Sequence, residues 1–122
     1  MSLLSLYSSN VKRKREELAR LKKERVRYVN DISNASQKIT RLSSQIRGTK
    51  SLSTIKSKTN EIEREEKKKS DAEKKVADYD KRIATKEKEL CNEELKLQKE
   101  QDRENRNIEN TRNKENLKKL KI

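Results

Sequence analysis

Apolar residues return every seventh place along the first part of the chain. Counting by sevens from Leu4 gives Val11, Leu18, Arg25, Ile32, Ile39 and Ile46, and a companion row three places later gives Tyr7, Lys14, Leu21, Tyr28, Ala35 and Leu42. Spacing of this kind puts both rows on one side of an α-helix and predicts a coiled-coil seam. A second stripe runs through Ile55, Ile62, Lys69, Val76, Ile83, Leu90 and Leu97, with Ala72 and Tyr79 in its companion row. Arg25 and Lys69 interrupt the stripes, where a cation lowers stability but specifies register, its stem reaching toward solvent.

The two stripes are out of phase. Ile46 and Ile55 are nine residues apart, and a continuous coil absorbs insertions of three or four residues far better than this offset of two. Between them lie Gly48, which can take the left-handed conformation past a helix end, and Ser51, whose hydroxyl can accept from the free amides of a new helix. The pattern predicts helix one over Leu3–Arg47 within segment 1–47, and a turn over 48–51. A second coiled-coil helix over 52–100 follows, then a polar helical extension or connector over 101–122.

If the helices fold back antiparallel, Ile46 meets Ile55, Ile39 meets Ile62, Leu18 meets Ile83, Val11 meets Leu90 and Leu4 meets Leu97. Beyond Leu97 the row becomes Glu104, Thr111 and Lys118, where helix one would have run out of residues. The expected fold class is therefore all-α: an antiparallel two-helix coiled-coil hairpin with a long second helix, self-associating. Pairing within one chain and swapping between chains both satisfy the pattern. At about 1.5 Å per residue, helix one would be roughly 65 Å long and helix two on the order of 100 Å. The last stretch has only Ile108, Leu117, Leu120 and Ile122 as apolar residues, so it should be a weak, exposed helix or a fraying tail.

The candidate association seam is Leu4, Val11, Leu18, Leu21, Tyr28, Ile32, Ile39, Leu42, Ile46, Ile55, Ile62, Ala72, Val76, Tyr79, Ile83, Leu90 and Leu97, with Gly48 and Ser51 at the turn. Ala19, Val26, Ala77, Ala84 and Cys91 follow beside it. They widen the apolar face as expected of a hairpin packing on another hairpin, although alanine is also simply a good helix former.

Composition narrows the function classes. Of the 122 residues, 28% are hydrophobic and 45% charged, with three Tyr as the only aromatics, too little apolar material for a conventional globular core. Disorder is averted because Lys, Arg, Glu and Leu favour helix, proline is absent and Gly48 is the only glycine. With no His, one Cys and no glycine-rich loop, neither a zinc site nor a nucleophile–base pair nor a phosphate loop can be assembled, so no catalytic residue, metal or cofactor is expected. Cys91 has no partner for an internal disulfide, which suits a reducing compartment; it is expected as a small buried helix residue, with a covalent dimer as the alternative. No run approaches the roughly 20 apolar residues of a membrane span, and MSLLSLYSS lacks the features of a signal peptide, so a soluble, cytoplasmic protein without membrane contact is expected, delivery into a host being left open.

The net charge of +13 is concentrated in residues 1–47, where 12 Lys and Arg face 4 Asp and Glu. The densest run, Lys12 to Arg15, reads either as a phosphate-binding or nuclear-localisation patch or as a solvated face matched to the second helix, for instance Lys14 near Glu93. Aromatic residues for base stacking are lacking, so nucleic-acid binding should be nonspecific and salt-sensitive.

The run SLSTIKSKTNEIEREEKKKSDAEKKVADYDKRIATKEKEL opens with Ser51, Ser53, Thr54, Ile55, Ser57, Lys58, Glu61 and Ile62. It resembles the amino-terminal coiled-coil region of bacterial Toll/interleukin-1 receptor (TIR) domain proteins, as does the opening SLLSLYSSNVKRKREELARLKKE. The similarity covers most of residues 3 to 100, and its specificity lies in the cluster next to the turn. It implies an arm that associates with itself, as a homodimer or higher, or with other coiled-coil proteins, and brings together TIR domains that hydrolyse NAD or interfere with signalling. No α/β domain and no counterpart of a TIR catalytic glutamate occurs in these residues. The chain is accordingly expected to be a fragment of a longer protein or a stand-alone coil, and not itself an enzyme. A basic nucleic-acid-associated or scaffold coil is the alternative function.

Overall fold

Straight-chain helix formers without proline set the local structure, and capping serines decide where it starts. The computed structural model describes residues 2–120, which form α1 over Leu3–Arg47 and α2 over Leu52–Leu120. The two helices pack against each other as an all-α hairpin. Ser2 caps α1: its Oγ accepts from the Ser5 amide at 3.1 Å and its carbonyl from the Leu6 amide at 3.0 Å. Ser51 does the same for α2, its Oγ accepting from the Thr54 amide at 3.4 Å and its carbonyl from the Ile55 amide at 3.0 Å.

Gly48 does not play the part expected of it, because no glycine in the described residues has a positive φ. The end of α1 instead tightens. The Gly48 amide donates to the Ser44 and Gln45 carbonyls, both at 3.2 Å, and the Thr49 amide to Ile46 at 3.3 Å, satisfying carbonyls that the helix end would leave open. The Ser51 amide then donates to Thr49 Oγ1 at 3.2 Å. The reversal is spread over several residues of ordinary backbone conformation, so no single residue needs the left-handed region. A Cβ on Gly48 would meet only the Gln45 and Ser44 carbonyl oxygens, at 3.7 and 3.8 Å, which is ordinary contact.

The chain divides into two compact units, one formed by residues up to 18 with those from 85 onward, the other by Ala19–Ala84. Within Ala19–Ala84, Gln45 pairs with Lys58, Lys38 with Glu65 and Glu24 with Tyr79. The α1 number falls by as much as the α2 number rises, which is antiparallel packing in one register. In the other unit Glu17 pairs with Lys86 and Lys14 with Glu89, again antiparallel. The buried apolar residues are Leu21, Ala35, Leu42 and Ala72 in the first case and Val11 and Leu18 in the second. Among the described residues no large side chain is wholly enclosed, because two helices alone leave most seam residues only half-buried. A half-buried Ile then contributes roughly 1 kcal/mol, about half of what full burial would.

From residue 101 onward α2 is exposed apart from the half-buried Glu104, and Ile108 and Leu117 are each more than half accessible. Residues 101–120 are therefore helical and make no seam, while Ile122 lies outside the described residues. No helix among the described residues is long and apolar enough to cross a membrane.

Removal of the Ser51 cap should cost about 1 kcal/mol. Gly48→Ala, at a position with compatible φ, should leave stability unchanged or raise it by up to about 1 kcal/mol through the unfolded state. Melts followed by circular dichroism should show the midpoint falling for Ser51→Ala and level or rising for Gly48→Ala; a fall for Gly48→Ala would contradict this account of the turn.

Candidate association surface

The heptad rows place the seam residues as follows. Val11, Leu18, Leu21, Leu42 and Ala72 are buried; Leu4, Tyr28, Ile32, Ile39, Ile46, Ile55, Ile62, Val76, Tyr79, Ile83, Leu90 and Leu97 are half-buried, and none is exposed. Arg25 is half-buried with its guanidinium Nε 2.6 Å from Asp80 Oδ1, its stem in the seam and its charge at the rim.

A second row of α2 also faces α1 and is largely polar: Lys58, Glu65, Ala72, Tyr79, Lys86, Glu93 and Glu100. None of these is exposed, and Glu100 retains only 8% of its accessible surface. Apolar periodicity alone passes over this row; its signal is the seven-residue recurrence of Lys and Glu in step with Ala72 and Tyr79. α1 partners its polar members up to Lys86, whereas Glu93 and Glu100 are engaged within α2 by Lys96 and Arg103. Lys58 donates to Gln45 Oε1 at 2.8 Å, Lys38 lies 3.9 Å from Glu65, and Tyr79 Oη donates to Glu24 Oε2 at 2.8 Å.

In the unit containing the amino-terminal part of α1, two lysines and two glutamates alternate. Lys14 Nζ lies 3.0 Å from Glu89 Oε2, Lys86 Nζ 2.8 Å from Glu17 Oε2 and 3.3 Å from Glu89 Oε2, and Lys14 Nζ 4.0 Å from Glu17 Oε2. The expected neighbour of Lys14 was Glu93; the structure gives Glu89, one helical turn earlier, and Glu93 is engaged by Lys96 at 3.4 Å. Hydrogen bonding to Lys86 holds the Glu17 carboxyl below the usual range, and Lys14, followed by Lys86, does the same for Glu89. Glu17 and then Glu89 raise Lys86 in turn. The Glu24 carboxylate, accepting from Tyr79, raises that phenol above its ordinary value.

Ala19–Ala84 also holds an aromatic contact. The Tyr28 and Tyr79 rings stack with centroids 5.5 Å apart at 30°, and Arg27 and Arg82 lie over them at 5.6 and 5.3 Å. Beside them the small side chains of Ala35 and Ala72 leave an open groove of about 500 Å³, rimmed by Asp31, Glu65 and Asp71 and by Lys38, Lys68 and Lys75. With three acids facing three lysines it favours neither an anion nor a cation.

The flanking set is on the surface. Ala19, Val26, Ala77, Ala84 and Cys91 are all exposed, Val26 at 54%. Cys91 is thus a free, exposed thiol and not a buried helix residue, because its row lies about 100° around the helix from the Leu90 row that enters the seam. The basic run is largely occupied: Arg13 lies 4.0 Å from Glu17, Lys14 reaches Glu89 and Arg15 lies 3.5 Å from Glu94.

No family model matches the chain, and no curated protein or solved structure matches it either.

The lowered carboxyls of Glu17 and Glu89 stabilise the fold above the ordinary glutamate value of 4.5, a contribution lost as pH falls through their lower folded values. Lys86 and Tyr79, both raised, contribute below 10.5 and 10.0, and this is lost as pH rises through their folded values. The thermal midpoint should be level in the neutral range and fall at both ends. The gap between the parent and Glu17→Gln, measured by melts at a series of pH values, should narrow below 4.5; a gap that widens on acidification would contradict the assignment.

Proposed function

We propose that this chain is a coiled-coil association module, a hairpin that joins a second copy of itself and holds whatever is attached to it in pairs. The observation that carries this is the small and apolar set Ala19, Val26, Ala77 and Ala84, which stays exposed in Ala19–Ala84 beside a seam whose residues are buried or half-buried. A second small and apolar set at helical spacing on the same helices is the surface that packing of one hairpin on another uses.

The turn-proximal residues Ser51, Ser53, Thr54, Ile55, Ser57, Lys58, Glu61 and Ile62 support a narrower assignment, the arm of a bacterial TIR-domain protein. In that setting the arm brings NAD-hydrolysing or signalling-interfering TIR domains together in the cytoplasm. The enzymology belongs to those domains and not to the coil, whose partners are itself and, in hetero-association, other coiled-coil proteins.

A basic scaffold coil that binds nucleic acid is the competing function, motivated by the net charge of +13. Against it, Arg13, Lys14 and Arg15 are already matched to glutamates. What remains is counterion chemistry, which is nonspecific and salt-dependent.

Sedimentation equilibrium should show a dimer or higher oligomer at micromolar concentration; a monomer at high micromolar concentration would defeat the association function. Binding to a duplex DNA or RNA probe, followed by fluorescence anisotropy, should vanish by about 0.2 M salt. Tight binding that survives this salt would promote the nucleic-acid function instead.

A further inference from the structure

An acid–base dipeptide recurs every seven residues on α2, as Glu66-Lys67, Glu73-Lys74 and Asp80-Lys81, and once more in the sequence at Glu87-Lys88. Neighbours in sequence do not face each other on a helix, so these are not pairs but two separate rows, about 100° apart. Between the rows, about 40° from the acids and 60° from the lysines, runs a neutral row of small residues, Ser70, Ala77 and Ala84. All nine positions in Ala19–Ala84 are exposed. Asp80 is held by Arg25 of α1, whereas among the described residues no ion pair engages Glu66, Lys67, Glu73 or Lys74.

We infer that the partner of this face is a second copy of the chain, with α2 lying parallel to α2 about a two-fold axis along the helices. This rests on the self-association function proposed above and adds its surface and direction. The charge order decides the direction. In a parallel pair each acidic row faces the lysine row of the other copy, on both sides of the neutral row; in an antiparallel pair acid would face acid and lysine would face lysine. Small residues in the middle row let the helices approach closely enough for the flanking charges to meet. A parallel two-fold pair also sets each residue of the neutral row opposite its own counterpart.

Three single-cysteine chains test this: Ser70→Cys, Ala77→Cys and Ala84→Cys, each with Cys91→Ser, oxidised at micromolar concentration after circular dichroism has shown intact helix. All three should form disulfide-linked dimers. A parent chain that is dimeric by sedimentation, while at most one of the three sites cross-links, would overturn the parallel arrangement and leave self-association standing; a monomeric parent chain would overturn both. As a second measurement, Glu66→Lys with Glu73→Lys, or Lys67→Glu with Lys74→Glu, should each weaken the dimer roughly tenfold or more. Mixing the two variants should restore it, and failure of the mixture to associate would overturn the charge-directed pairing.

Discussion

A chain with so few apolar side chains can close a helical seam only if charged residues enter it with partners. On α2 the apolar row from Ile55 to Leu97 is accompanied by one in which Lys58, Glu65, Lys86, Glu93 and Glu100 stand at core-facing spacing. Desolvating such groups without partners would cost more than the half-buried isoleucines return. Along that row α1 presents Gln45 to Lys58, Lys38 to Glu65, Glu24 to Tyr79 and Glu17 to Lys86, while Glu93 and Glu100 are met by Lys96 and Arg103 of α2 itself. At the rim of a two-helix seam the charges keep part of their hydration, so each pair stabilises little. Its main effect is on which alignment survives.

Apolar heptads are nearly indifferent to a slip of seven residues, because each isoleucine would find another apolar neighbour. The polar row is not. Sliding the helices by one heptad in one direction would bring Lys38 opposite Lys58 and Asp31 opposite Glu65, like against like. In the other direction Lys38 would face Ala72 and lose its carboxylate. The observed alignment matches cation, anion and amide in turn, and the Tyr28–Tyr79 stack adds a contact that depends on the same alignment. Stability and register thus come from different rows of the same helices.

The same separation holds on the outside. Ala19–Ala84 carries an exposed neutral row, Ser70, Ala77 and Ala84, bounded by an acidic and a basic row, so charge on this surface is sorted by sign along the helix. Along residues 101–120 no such organisation appears: the helix is exposed almost throughout, and Ile108 and Leu117 are each more than half accessible.

Much of the hairpin was legible in the residues themselves. A seven-residue period is a property of one helix, and a change of phase between Ile46 and Ile55 forces a break wherever the chain folds, so two helices and their apolar faces followed from spacing, and the capping role of Ser51 from its hydroxyl. Three features needed the tertiary structure. Gly48 looked like a left-handed cap because glycine permits it, but the tightened end of α1 and residues 49–51 share the reversal, and backbone geometry of that kind is set by how the two helices meet. Lys14 chose Glu89 over Glu93 because pairing depends on axial alignment, which no single helix encodes. The Lys and Glu positions in the row of Ala72 and Tyr79 carry no apolar period to mark them, and they are covered only because α1 packs over that row.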